Sequence, residues 1–255
     1  MIRLYRKHGK HPPDWPQTVK KSLPDHQNYL REALRFETLH LNSTERRSGF
    51  AQFAAHVLVS RAGKVVFPSC WTKFKDQLFL LSHSKCSYCE GEINSNPAGH
   101  VEHFNPKTLF PLLAYEWTNY FLACAGCNVA KGEKWPSRGK YVRPDQGDPA
   151  KLFRFEPDGT IHPARRSLAA DKTIRDFGLS RKPLVNRRKM VIDGLLNQLK
   201  LAADIRAENP AIAKRLAANI FARISAPEWG YSAALTQSFQ RVWPVSSISM
   251  PPKRR

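Results

Sequence analysis

The sequence predicts an α+β protein, mainly helical, with a small cysteine-clamped core inserted between helical segments. Three observations carry this. Apolar residues recur at helical spacing on both sides of the chain's centre. The centre, about residues 86–136, is polar and Gly-containing and holds two CxxC pairs, Cys86/Cys89 and Cys124/Cys127. Two short stretches, "VEHF" at 101–104 and "FRFEPDGTIHP" at 153–163, have strand character.

Taken in order, residues 1–24 are polar and Pro-containing and read as an extended arm. Residues 25–60 show helical spacing through Leu30, Leu34, Phe36 and Leu39, then Phe50, Phe53, Ala54 and Val57. "WTKFKDQLFLL", 71–81, predicts a further helix leading into the first CxxC. "VEHF" begins apolar and β-branched, as a short strand does, and "NVAKG" from Asn128 opens a helix. "RPDQGDP", 143–149, is a loop, and the next stretch alternates around Asp158-Gly159, a hairpin signal. From about 168 the chain turns helical, with Leu184, Met190, Val191, Leu195, Leu199 and Ile205 expected near one face. Two more helices are expected at 211–224 and 230–242, and the tail "PPKRR" is expected to be disordered. The organisation expected is an N-terminal arm and helical region (1–82), a core (83–142), and a hairpin with a basic helical region (143–255).

The 255 residues carry 41 Lys+Arg against 21 Asp+Glu, a net charge of +20, which favours a polyanionic partner such as nucleic acid. The charge is uneven. Residues 86–136 balance to −2, whereas residues 161–255 carry 18 Lys+Arg and 6 Asp+Glu. An acidic centre in a basic frame suits a site that holds cations while its surroundings attract phosphates. No run of eighteen apolar residues predicts a membrane span, and the basic N-terminus has no apolar stretch behind it to serve as a signal peptide. A reducing, cytoplasmic compartment is the expectation.

That compartment decides how the five cysteines read. Disulfides are rare in a reducing cytosol, so paired CxxC motifs there are metal ligands. Two such knuckles supply the four thiolates that a tetrahedral zinc ion takes, and a closed four-thiolate site has no open position for water. Cys86, Cys89, Cys124 and Cys127 are therefore expected to hold a structural Zn²⁺. The 34 residues between Cys89 and Cys124 exceed a simple zinc ribbon and must form a substructure of their own. Cys70 lies outside the pattern and is expected to be a buried or idle thiol.

Within that insert, Glu102-His103 sits on the expected strand, Asn119 follows in "YEWTNY", and Asn128 comes directly after the last cysteine. This order of carboxylate-His, Asn and Asn resembles the HNH endonucleases, whose motif forms a ββα-metal fold around one divalent cation, often beside two zinc-binding CxxC pairs. His103 matches the first motif position and Asn119 the middle one. Asn128 stands where the last His of the name would be, a familiar variant. "CSYCE", "VEHFNPK", "YEWTNYFLACAGCNVAKGEKWP", "RPDQGDP" and "DFGLSRKPLVNRRK" together resemble the PtuB-like HNH proteins of Septu and some retron anti-phage systems. The main motifs cover about 86–136, with weaker similarity to about 190. The resemblance implies an endonuclease, a hydrolase acting on nucleic acid, most simply DNA. It also implies a PtuA-like ATPase partner and a role for Asn119 in orienting His103.

The chemistry of these residues can be argued separately. Phosphodiester hydrolysis needs an activated water, charge stabilisation on the phosphate, and help for the departing oxygen. A neutral His can take a proton from water near neutral pH, which makes His103 the candidate base. A hard cation, Mg²⁺ or Mn²⁺, takes oxygen ligands, which Glu102 and the Asn128 amide could provide. Strand alternation points Glu102 and His103 to opposite faces, so a twist or bulge is needed for both to serve one site directly. Lys107 and Lys131 are candidate phosphate contacts, while Trp117 and Trp135 read as packing. Two alternatives stay open: cleavage of RNA, and a non-catalytic zinc module that only docks nucleic acid or a protein.

Overall fold

The computed structural model describes residues 11–23, 25–39, 42–57, 59–61, 64–94 and 98–243. The first ten residues of the expected arm, and the "PPKRR" tail, lie outside them. The architecture is α+β and mainly helical, with two-stranded antiparallel sheets. The described residues form two compact units. One comprises those between 11 and 81 and between 93 and 140. The other comprises 82–92 and 141–243.

The first unit opens with a helix where an arm was expected. Helix α1 (Trp15–Ser22) has proline in its first turn, a position that costs no intrahelical hydrogen bond. It buries Trp15 and Val19, one turn apart. The Trp15 indole donates to the Tyr115 carbonyl at 3.2 Å and its ring packs against Phe74, Trp117 and Tyr120. Those aromatic contacts, remote in sequence, fold a segment whose local composition is polar.

Helices α2 (His26–Leu39) and α3 (Ser43–Val57) follow as expected, but the inward face of α2 is Tyr29, Ala33 and Phe36. Leu30, Leu34 and Leu39 are exposed. The Tyr29 hydroxyl donates to the Pro111 carbonyl at 2.6 Å, and its ring meets Tyr115 and Phe53 edge-on. An aromatic with a satisfied hydroxyl thus takes the core position that leucine spacing suggested for its neighbour. A short hairpin, β1 (Val59–Arg61) with β2 (Lys64–Val66), leads to a 3₁₀ turn at Cys70–Phe74 and helix α4 (Lys75–Ser82). Cys70 is buried, and burial raises the pKa of its thiol.

The unit ends in a hairpin and helix. Strand β3 (Gly99–His103) pairs antiparallel with β4 (Tyr120–Cys124), placing Glu102 opposite Phe121 and His103 opposite Tyr120. Helix α5 (Ala125–Lys131) follows directly and is stopped by Gly132 at φ 47°.

In the second unit, β5 (Phe153–Phe155) and β6 (Ile161–Pro163) form the expected hairpin. Its turn residue Gly159 has φ 83°, and a Cβ there would lie 2.2 Å from the Val185 carbonyl oxygen. Four helices follow: α6 (Leu168–Asp176), α7 (Lys182–Arg206), α8 (Pro210–Ile224) and α9 (Ser232–Val242). The buried stripe of α7 is Leu184, Arg188, Ile192, Leu195, Leu199 and Ala202. Met190 is exposed instead, because the 3–4 residue spacing runs through a charged residue. The Arg188 guanidinium donates to the Leu179 carbonyl at 2.6 Å and lies 5.8 Å from the centre of the Phe155 ring. The segment 82–92 is tied to α9 in the same unit. Tyr231 N–H donates to the Glu90 carbonyl, Ala233 N–H donates to the Glu90 carboxylate, and the buried Lys85 ammonium donates to the Trp229 carbonyl.

Candidate functional site

The four cysteines of the CxxC pairs converge. Their sulfur atoms all lie within 4.8 Å of one another. Tetrahedral Zn–S bonds of ~2.3 Å place sulfurs about 3.8 Å apart, so the donor set and spacing fit a structural zinc ion. Cys86 and Cys127 are buried, and Cys89 and Cys124 are partly so. Locally, Cys86 N–H donates to the Gly91 carbonyl and Glu90 N–H to the Cys86 carbonyl, closing a tight knuckle with Glu90 at φ 65°. At the second pair, Cys124 ends β4 and Cys127 lies in the first turn of α5.

His103 is the last residue of β3 and is buried at 8% exposure. Its ring lies edge-on to Trp71 and Tyr120, at centroid distances of 4.7 and 4.9 Å. Nε2 is 3.0 Å from the Ala114 carbonyl oxygen. A carbonyl can only accept, so Nε2 carries the hydrogen and the neutral ring keeps its basic lone pair on Nδ1. The Tyr120 hydroxyl donates to the same oxygen. Burial pushes the imidazole pKa down to about 3, and the nearby Lys107 and Lys131 ammonium groups act in the same direction.

Asn119 is buried and its amide spans the loop after β3. Nδ2 donates to the Asn105 and Leu113 carbonyls at 3.0 and 2.9 Å, and Oδ1 accepts from Asn105 N–H at 2.8 Å. Asn119 therefore holds the residue before Ala114, whose carbonyl in turn anchors His103. The Asn119 amide bonds to the loop and not to the ring itself; the link runs through the backbone.

Strand register is regular, so Glu102 faces away from His103, toward α5. Its carboxylate is 2.6 Å from the Lys131 ammonium, with side-chain exposures of 4% and 0%. Lys131 also donates to the His103 carbonyl at 2.8 Å. One buried ammonium thus touches both members of the Glu-His pair. Fully buried, Lys131 offers no surface contact to a phosphate, contrary to the sequence-based expectation. Two residues before Glu102, His100 shares its strand face, and its Nδ1 is 3.4 Å from the Asn128 amide nitrogen. Sequence reasoning passed over His100. The alternation His100-x-Glu102 was the signal that could have found it.

Lys107 is half-buried. Its ammonium lies 5.6 Å from the Phe67 ring centre and 5.7 Å from that of Trp71, and burial lowers its pKa. Trp117 is buried in the aromatic core, and Trp135 packs edge-on against Phe104 and Phe110.

The face between β3 and α5 thus presents a buried carboxylate, an amide and an imidazole. These donors suit a hard or borderline divalent cation such as Mg²⁺ or Mn²⁺.

No family model matches the chain. It is similar to two proteins named Septu protein PtuB. One, from Bacillus mycoides (strain KBAB4), is 26% identical over 187 residues, which cover 59% of this chain and 63% of that protein. The other, from Bacillus thuringiensis, is 32% identical over 93 residues, covering 34% of this chain and 36% of that protein. The matches therefore span less than two thirds of the length of either relative. Among the described residues, no helix is long and apolar enough to cross a membrane.

Proposed function

We propose that this chain is an HNH-type endonuclease that uses a divalent cation to hydrolyse phosphodiester bonds, with DNA as its substrate. It would act as the effector of a Septu-type anti-phage system in concert with a PtuA-like ATPase. The observation that carries the catalytic reading is the fixed tautomer of His103: Nε2–H is committed to the Ala114 carbonyl, and Nδ1 keeps the lone pair. The similarity to PtuB proteins supports the defence role and the partner.

In this reading, Nδ1 of His103 takes a proton from the water that attacks phosphorus. The ring's low pKa in the unliganded protein makes it a weak base, but a phosphate brought beside it offsets Lys107 and Lys131 and raises that pKa. Asn119 and Tyr120 keep the Ala114 carbonyl in place, so the ring does not turn as it gains charge. Glu102 and Asn128, with His100 beside them, would hold the cation. When bound, it supplies charge stabilisation at the phosphoryl and departing oxygens. Lys107, over its aromatic cradle, would contact the phosphate. The zinc ion is structural and separate from this chemistry.

The test is a cleavage assay with Mg²⁺ or Mn²⁺ on duplex DNA, single-stranded DNA and RNA, with the ATPase partner present. His103→Ala is expected to keep its zinc and fall by ~10²–10⁴-fold in rate, the usual contribution of a positioned base. Cleavage by His103→Ala at the wild-type rate on every substrate would overturn the assignment.

A further inference from the structure

We propose that Lys131 is the resting counterion of Glu102, and that a divalent cation reaches this carboxylate only by displacing it. The proposal rests on the reading of Glu102 as a cation ligand. Its basis is the geometry of the pair. The carboxylate and the ammonium are 2.6 Å apart and almost fully withdrawn from solvent. An ionised carboxylate so deeply buried is strongly disfavoured unless a positive charge compensates it. Lys131 supplies that charge, and its remaining hydrogens go to the His103 carbonyl at 2.8 Å and more loosely to the Gly132 carbonyl at 3.4 Å.

A second cation cannot simply be added. Placing a dication on Glu102 beside an ammonium at hydrogen-bonding distance sets like charges against each other in a medium of low polarity. Lys107 contributes further positive potential, since it interacts electrostatically with both Glu102 and Lys131. Exchange relieves the conflict. Lys131 is the last residue of α5, followed by Gly132 at φ 47°, so its side chain leaves from the end of the helix. Asn128 lies one turn earlier on the same helix, where it meets His100. The incoming ion would take Glu102 on β3 as one ligand, with Asn128 on α5 as a further oxygen donor. The cost of displacing Lys131 is subtracted from the ion's binding energy, so affinity is weak in the free protein. A polyanion that takes up the released ammonium strengthens it.

Two measurements on full-length, zinc-loaded protein without nucleic acid test this. The first titrates Mn²⁺ by electron paramagnetic resonance into wild type and Lys131→Met, which keeps the length of the apolar stem. The Mn²⁺ dissociation constant is expected to fall by about tenfold or more in the variant, because the ammonium in direct contact with Glu102 is gone. Equal affinity in the two proteins would overturn the exchange. Absence of Mn²⁺ binding in both would overturn it together with the cation assignment at Glu102. The proposed nuclease activity is judged separately by the cleavage assay. The second measurement needs no substitution. Acylation of wild-type lysines, read by mass spectrometry, should find Lys131 protected without Mn²⁺ and several-fold more reactive with it. Unchanged protection across the titration would count decisively against the proposal.

Discussion

Nε2 of His103 and the carbonyl oxygen of Ala114 lie 3.0 Å apart inside a wall of Trp71 and Tyr120. This one contact fixes both the orientation of the ring and the nitrogen that stays basic. It also has a cost that depends on pH. The folded-state pKa, about 3, lies below the ordinary histidine value of ~6.5. Between those values the unfolded chain binds a proton that the folded protein refuses, so stability falls as pH drops through that window. His103→Gln removes the titration and keeps a donor for Ala114. Urea unfolding at pH 6.5 and pH 5 should show wild type losing about 2 kcal/mol more than the variant over that interval. Parallel losses would mean that the ring is solvated.

Asn119 should matter for the loop before it matters for chemistry. Asn119→Ala leaves two carbonyls and one N–H of Asn105 and Leu113 without their partner. The expected loss is about 2–4 kcal/mol in unfolding free energy. Asn119→Asp should rescue little, since it restores only the acceptor. A variant as stable as wild type would show that the loop holds itself.

Zinc should be tightly held at about one ion per chain, measured by elemental analysis. Cys127→Ser, or a strong chelator, should lower the melting temperature sharply, because binding energy at such sites is folding energy. Full stability in metal-free protein would remove the structural role.

Gly159→Ala should destabilise the second unit by more than ~1 kcal/mol. Its φ of 83° already disfavours a side chain, and the added methyl would meet the α7 backbone rather than a movable group. A neutral substitution would show that the turn relaxes away from α7.

The sequence made some features legible and hid others, for physical reasons. The zinc ligands were legible because metal geometry enforces a spacing. The Asp158-Gly159 hairpin was legible because positive φ selects glycine. Helix α7 was found, but its stripe was misread at Arg188, where a guanidinium reaches a carbonyl and an aromatic face from within the core. Helix α1 was missed because its stability comes from Trp15 meeting residues about sixty and a hundred positions away. At the candidate site, His103, Glu102 and Asn128 stood out by their order in the chain. The Glu102–Lys131 pairing joins residues on separate elements, and no local pattern announces it.

The first cysteine knuckle is fastened by residues that the ribosome makes much later. Lys85 is held by Trp229, 144 positions on, and Glu90 by Ala233, 143 positions on. At 5–20 residues per second, the knuckle emerges about 7 to 30 s before these partners exist. During that interval Cys86 and Cys89 are nascent-chain thiols lacking the hydrogen bonds with Trp229 and Ala233 that later fasten their segment. Any zinc taken up in that interval would be held by a knuckle still without these anchors.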